Sequence, residues 1–213
     1  MTMSYEIFIA TLETLYMVTI STIFAILLGL PIGTLLFCSN TINPNKNMSN
    51  FINNIINISR SIPFIILLVA LIPITRFIVG TSIGIHATIV PLTLGATPFF
   101  ARLVSNVYTE LPYGLIETGF SLGATTWQLI RYILFPEALP ALIQAITITA
   151  ITVLNYSAMA GTVGGGGLGD LAIRYGYQRF NMIIMFITIV ILVIIVQLLQ
   201  IIGDYYAKRC NHK

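Results

Sequence analysis

Long apolar runs separated by short polar stretches constrain this chain more than any other feature of its sequence. A helix that crosses a bilayer needs about 20 mostly apolar residues, because it rises about 1.5 Å per residue through a hydrocarbon core of about 30 Å. Runs of suitable length are predicted at residues 14–37, 55–74, 83–104, 141–161 and 182–202. The sequence therefore predicts an all-α integral membrane protein with five transmembrane helices.

Composition supports this prediction and excludes several functions. Of the 213 residues, 57% are apolar and only 8% are charged, whereas soluble domains have roughly 25% charged residues. The net charge of +3 is small and scattered, so no nucleic-acid partner is expected. Cys38 and Cys210 are the only cysteines, too few for a disulfide scaffold.

The chain is predicted to form one membrane domain, residues 11–204, followed by a cytoplasmic tail, residues 205–213. Residues 39–54 are rich in Asn and read as a loop with a surface helix. The second apolar run is interrupted by Arg60-Ser-Ile-Pro-Phe64. The longest polar interval, residues 105–140, is a candidate cytoplasmic segment for contact with a partner.

The distribution of Lys and Arg near the span ends predicts the orientation. With the C-terminus inside, seven basic residues are cytoplasmic: Lys46, Arg60, Arg102, Arg131, Lys208, Arg209 and Lys213. Three remain outside: Arg76, Arg174 and Arg179. Five spans then place the N-terminus outside and residues 105–140 in the cytoplasm.

The sequence holds no H-E-x-x-H motif, no Ser-His-Asp spacing and no cluster of Cys and His with metal-ligand spacing. The glycine run 164–167 lacks the Lys of a phosphate loop, and it reads as a mobile turn or a close-packing element. No catalytic residue, cofactor or metal is therefore expected. The first, fourth and fifth spans have cores without ionisable residues, which favours a separate ATPase over ion coupling.

One motif in the polar interval is specific. Glu117 is followed six residues later by Gly123, and nine further residues lead to Ile133-Leu-Phe-Pro136. This spacing resembles the E-A-A-x3-G-x9-I-x-L-P signature of the permease subunits of binding-protein-dependent ABC importers. Thr118 and Gly119 replace the two alanines, and Phe135 replaces the leucine.

Further stretches resemble the permeases of methionine importers over residues 11–204. They are Arg60-Ser-Ile-Pro-Phe64, Gly123-Ala-Thr-Thr-Trp-Gln-Leu-Ile-Arg131, Pro136-Glu-Ala-Leu-Pro140, Asn155-Tyr-Ser-Ala-Met-Ala-Gly161 and Gly164-Gly-Gly-Gly-Leu-Gly-Asp170. The resemblance implies a type I importer fold in the bacterial inner membrane. It also implies a homodimer, two cytoplasmic ATPase subunits that use ATP and Mg, and an extracytoplasmic methionine-binding lipoprotein.

The resemblance assigns coupling to the ATPase to six residues: Glu117, Phe120, Leu122, Gly123, Ile133 and Pro136. A short helix is predicted over residues 113–122, with apolar contacts from Leu115, Ile116, Phe120 and Leu122. Gly123 allows a sharp turn after it. Trp127, Ile130 and Leu134 recur at helical spacing and are predicted to anchor the next helix.

Four residues near the end of the fourth span are candidates for the solute pathway: Asn155, Tyr156, Ser157 and Met159. Asn155 and Met159 are four residues apart and therefore share a helix face. A flexible thioether is a suitable neighbour for a methionine side chain. The alternative is that these residues only pack the helices together.

The leading functional prediction is an importer permease that moves methionine by alternating access and is itself not an enzyme. Two alternatives remain open at this level. The importer could carry another amino acid or small solute, or the chain could be an uncoupled channel or scaffold. The motifs do not distinguish L- from D-methionine.

Overall fold

The computed structural model describes residues 3–210, and within that range every regular element is helical, as predicted. Ten α-helices follow in order: α1 Met3–Phe37, α2 Lys46–Ser61, α3 Phe64–Ala70, α4 Ile72–Val79, α5 Ile85–Thr109, α6 Tyr113–Ser121, α7 Thr126–Leu129, α8 Phe135–Ala160, α9 Gly167–Leu171 and α10 Met182–Cys210. Single π-helical turns lie at Cys38–Ile42, Ile130–Leu134 and Ala172–Tyr177, and a 3₁₀ turn lies at Gly161–Val163.

Several of these helices are long and apolar enough to cross a membrane. Within the described residues four stretches qualify alone: Met3–Ile42, Ile85–Thr109, Thr126–Val163 and Met182–Cys210. A fifth crossing is added if α2 and α3, which meet at a bend of 101°, count as one broken span. The four or five crossings agree with the predicted all-helical membrane fold.

The stretch around α2 differs from the predicted boundaries. The polar loop was expected to end at residue 54 and a span to cover 55–74, but α2 runs from Lys46 to Ser61. Asn45 caps it by accepting a hydrogen bond from the Met48 N–H at 3.2 Å. Pro63 ends it, because a proline drives the preceding residue, here Ile62 at ψ 123°, into extended conformation. The predicted span is thus divided among α2, α3 and α4.

The α1 and α5 helices pack closely along their length. Gly29 and Gly33 lie against α5, and a Cβ at Gly29 would be 3.0 Å from the carbonyl oxygen of Thr97. Small residues allow such approach between membrane helices.

One apolar cluster lies beside α9 and includes Met17, Leu92, Val153, Leu154 and Leu168. A second lies at the α6 end and includes Phe37, Phe100, Tyr108, Leu129 and Leu134.

The glycine run connects α8 to α9 and is held by hydrogen bonds with side chains of α1 and α5. The Glu13 carboxylate accepts a hydrogen bond from the Gly167 N–H at 2.9 Å, and the Thr14 hydroxyl accepts one from the Leu168 N–H at 2.8 Å. From α5, the Thr88 hydroxyl donates to the Gly165 carbonyl at 3.3 Å. These contacts fit the interpretation of the run as a close-packing element.

The last helix exceeds its predicted span. The span was expected over 182–202 with a tail at 205–213, but α10 continues to Cys210. Lys208 and Arg209 in its last turn are favourable next to the negative end of the helix dipole. The remainder of the predicted tail, including His212 and Lys213, lies outside the described residues.

Candidate functional site

The polar interval folds into a helical hairpin between α5 and α8. After α6 the chain reverses at Gly123, whose φ of +76° lies in the left-handed region. The next helix begins with a capping box. The Gln128 N–H donates to the Thr125 hydroxyl, and the Thr125 N–H donates to the Gln128 side-chain oxygen at 2.8 Å. The sharp turn predicted at Gly123 is therefore present.

The inner face of α6 packs tightly against the start of the long helix. Ile116 is buried, and Gly119 lies against Leu129 and Ile133. A Cβ at Gly119 would collide with the Leu129 side chain and lie 3.0 Å from the Ile133 Cδ1 atom. This contact joins α6 to the segment that leads into α8. Because packed interiors transmit strain, a displacement of α6 would move that segment.

The outer face of α6 and the turn after it are exposed. Glu117 is exposed, 43% of Phe120 is accessible, and Leu122 is 80% accessible. An apolar side chain this open at a loop is typical of a contact site for another molecule when it lies among similar residues. Four of the six residues assigned to coupling, namely Glu117, Phe120, Leu122 and Gly123, thus lie on one accessible surface.

The other two assigned residues have different surroundings. Ile133 is partly covered and packs in the apolar cluster below α6. Pro136 is exposed and occupies the first turn of α8, where its missing N–H costs no helical hydrogen bond. The prediction that Trp127 anchors the following helix is wrong for this chain alone, because 66% of its side chain is accessible. Leu134, which is fully buried, has that role.

The four candidate pathway residues do not share one face. Asn155 and Met159 are exposed, and Asn155 lines a groove with Gln197 of α10. Tyr156 points away from them and stacks on Phe64, with ring centroids 4.2 Å apart and planes at 2°. Ser157 is buried, and its hydroxyl donates to the Leu154 carbonyl at 2.7 Å. Ser157 therefore has a packing role, as the alternative interpretation expected.

A cavity of about 230 Å³ lies at the bend between α2 and α3. Its lining includes Arg60, Phe64, Gly95, Phe99 and Tyr156. Of these, the sequence analysis named only Tyr156 as a pathway residue. The available signal was the interruption of an apolar run by Arg60-Ser-Ile-Pro-Phe64, since a charged residue and a proline within a span mark an irregular helix beside a cavity.

Within residues 3–210 no group of three or more His, Cys, Asp or Glu side chains is arranged to hold a metal ion. The architecture, several long apolar helices and a packed helical hairpin with an exposed apolar surface, is consistent with the class of multi-pass membrane transport subunits. Residues 25–212 match the family described as "Binding-protein-dependent transport system inner membrane component", and the chain belongs to this family of the bacterial inner membrane.

Curated relatives are identical to this chain at about half of the aligned positions. The chain is 48% identical over 206 residues to the "Probable D-methionine transport system permease protein MetI" of Vibrio cholerae, a match that covers 96% of this chain and 92% of the relative. It is 54% identical over 151 residues to the "D-methionine transport system permease protein MetI" of Escherichia coli strain K12, 70% of each chain.

Solved structures share the fold over most of the chain. A structure described as "Inward facing conformations of the MetNI methionine ABC transporter" matches with a TM-score of 0.96 and 47% identity, covering 100% of both chains. A second crystal form of that transporter matches with a TM-score of 0.92 and 50% identity, covering 94% of both chains. An amino acid ABC transporter crystallised with histidines shares the fold alone, at 19% identity and a TM-score of 0.80.

Proposed function

We propose that this chain is the permease subunit of an ATP-driven importer that moves methionine into the cytoplasm by alternating access. The observation that carries the proposal is the full-length match, in sequence and in fold, to the permease of a methionine ABC transporter. The chain itself is a transport subunit, and ATP hydrolysis belongs to a separate ATPase.

The exposed surface of α6 supports a mechanism for energy coupling. Phe120 and Leu122 offer apolar area and Glu117 offers a carboxylate, a combination that fits a groove on a cytoplasmic ATPase. Gly119 holds the opposite face of α6 against the segment that continues into α8. Movement of the ATPase is thereby transmitted to a membrane helix instead of being lost in a flexible loop.

The proposed assembly contains two copies of this chain, two ATPase subunits and an extracytoplasmic methionine-binding lipoprotein. Four or five crossings are few to enclose a solute path, so a symmetric pair of permeases is the economical arrangement. The N-terminus lies outside and residues 105–140 and 205–210 lie in the cytoplasm. In that assembly the exposed face of α8, with Asn155 and Met159, lines the path between the copies.

Uptake of labelled methionine tests the proposal directly. A strain without this chain should accumulate little methionine, and the restored wild-type chain should return accumulation to its original level. Accumulation that survives in cells without the ATPase would contradict ATP coupling and favour a channel. Competition by other unlabelled amino acids identifies the substrate, since a better competitor than methionine would move the assignment to another solute.

The pathway residues need a separate measurement. Asn155→Ala and Met159→Ala should lower the rate of methionine uptake at normal expression, because both remove groups from the proposed path. Leu27→Ala truncates an exposed apolar residue of α1, outside the exposed face of α8, and should leave the uptake rate unchanged. Equal rates for all three variants would remove Asn155 and Met159 from the pathway.

A further inference from the structure

The cavity at the α2–α3 bend lies beside the middle of α5. Gly95 is ten residues from the start of α5, which is roughly 15 Å along a helix of 25 residues. Its wall contains Gly95, and the Phe64 ring packs across it at 3.3 Å from where a Cβ would be. Phe99 lies one helical turn further towards the α6 end of α5. The cavity therefore lies beside the middle of a membrane-crossing helix.

The chemistry of the cavity is divided between two ends. Phe64, stacked on Tyr156, forms an aromatic wall, and Leu67 extends it. At the other end the Arg60 guanidinium lies 5.8 Å from the centre of the Phe99 ring. No carboxylate is among the described residues that line this cavity. One end is thus apolar and the other carries a positive charge without a counter-ion from the lining.

A second guanidinium group, that of Arg102, lies beyond the Arg60 end of the cavity, in the direction of α6. Arg102 lies one turn beyond Phe99 on α5 and donates to the Asn57 side-chain oxygen at 2.9 Å. Asn57 is a neutral acceptor, so this bond orients Arg102 without neutralising it. A cationic side chain within a membrane helix is costly and is typically retained for a substrate or ion path.

We infer that this cavity is a substrate site within each permease, in which Arg60 binds the carboxylate of an amino acid whose apolar side chain lies on Phe64, Leu67 and Phe99. The inference rests on the proposed function. The volume of about 230 Å³ is below the range of about 300–1,000 Å³ of drug-sized sites and suits a ligand of amino-acid size. An arginine fork matches carboxylate geometry, and aromatic and thioether groups make favourable contacts.

Photolabelling of the intact permease–ATPase complex tests this site. The complex, in nanodiscs of phosphatidylcholine, is irradiated with a diazirine analogue of methionine, and labelled residues are mapped by mass spectrometry. Label is expected on α3 or on α5 near Phe99. Methionine should protect against labelling, whereas methioninol, which lacks the carboxylate, should not. Absence of label at the cavity, or equal protection by methioninol, overturns the inference.

Substitutions at Arg60 distinguish the loss of its positive charge from a general effect on the fold. Arg60→Gln should raise the methionine concentration for half-maximal protection at least about tenfold, since hydrogen bonds to charged groups are worth about 1.5–3 kcal/mol. Arg60→Lys should raise it less, because the charge remains. Lys46→Gln removes one positive charge from the other end of the same helix and should leave protection unchanged. If the Arg60→Gln and Lys46→Gln variants need the same methionine concentration for half-maximal protection, the inference is overturned.

Two further measurements distinguish a wrong substrate site from a wrong proposed function. In nanodiscs that contain phosphatidylglycerol, labelling should persist; its loss would assign the cavity to a lipid headgroup and overturn the substrate site. The same purified complexes, reconstituted into closed proteoliposomes with ATP on the ATPase side, are assayed for methionine uptake with the binding protein. Absence of uptake by the wild type contradicts the proposed function. Normal uptake without label in the cavity contradicts only the inferred site.

Discussion

Leu122 is the most exposed residue of the proposed coupling surface, with 80% of its side chain accessible. Leu122→Glu should reduce co-purification of the ATPase at least about tenfold, because a carboxylate buried in an apolar contact without a partner costs about 1–3 kcal/mol or more. The amount of ATPase recovered with the affinity-tagged permease is the measurement. Asn54→Glu adds the same charge to exposed α2 and should not alter recovery. Wild-type recovery with Leu122→Glu would place the ATPase contact elsewhere.

Gly119 tests the packing beneath that surface. Gly119→Ala should destabilise the protein by about 1–3 kcal/mol, the range for overpacked sites, because the new Cβ collides with the buried Leu129 side chain. Gly114→Ala is the same change on the same helix, where nothing lies within 4 Å of the added atom.

The apparent Tm of the detergent-solubilised permease distinguishes the two glycine variants. The Gly114→Ala protein should melt at or slightly above the wild-type temperature, since alanine favours a helix by up to about 1 kcal/mol over glycine. If both variants have the same apparent Tm, the Leu129 and Ile133 side chains can move aside without cost. The proposed rigid link from α6 to α8 would then lose its support.

At the scale of single elements, α9 depends on a neighbouring helix for its first hydrogen bonds. It has five residues, and its N-terminal N–H groups are met by Glu13 and Thr14 of α1. Thr14→Val preserves shape but leaves the buried Leu168 N–H without an acceptor, at a cost of about 1–3 kcal/mol. Faster proteolysis of the segment after the glycine run should report the loss.

Two variants control for the change at Thr14. Thr14→Ser retains the hydroxyl and should behave nearly as the wild type. Thr11→Val removes a hydroxyl that only donates within α1, to the Ile7 carbonyl at 2.8 Å. If Thr11→Val and Thr14→Val are cleaved at the same rate, the contact between α1 and α9 contributes nothing particular to this end of the bundle.

The element scale also shows where a sequence pattern was incomplete. The apolar count alone predicted a span from residue 55, because Ile55, Ile56 and Ile58 continue the hydrophobic run. In the structure Ile56 packs in the core beside Leu36 and Ala101, whereas Ile55 and Ile58 are exposed on α2. A count of apolar residues cannot tell an amphipathic helix from the start of a span when the two are joined without a polar break.

At the scale of the whole molecule, the proposed orientation is open to direct labelling. In a chain with Cys38 and Cys210 replaced by serine, Tyr177→Cys should react with a membrane-impermeant maleimide in intact spheroplasts. Asn54→Cys should react only after permeabilisation. Both positions are exposed in the structure, so accessibility of the side chain itself is matched. The reverse pattern would place the N-terminus inside and the hairpin away from any cytoplasmic ATPase.

The sequence by itself determined the membrane class, the helical content and the hairpin around Glu117 and Gly123. These follow from local quantities, namely apolar run length, the spacing of a motif and the conformational freedom of glycine. Sequence also placed Asn155 and Met159 on one face, because helical periodicity is local.

Only the tertiary structure decided which surfaces are open and which side chains meet. Residues 60 and 64, residues 95 and 99, and residue 156 come from three distant segments of the chain, and their convergence on one cavity depends on the 101° bend and on how α3, α5 and α8 pack. The exposure of Trp127 and the support of α9 by Thr14 are likewise properties of contacts between distant segments. No local pattern contains that information, because it arises only when the helices are assembled.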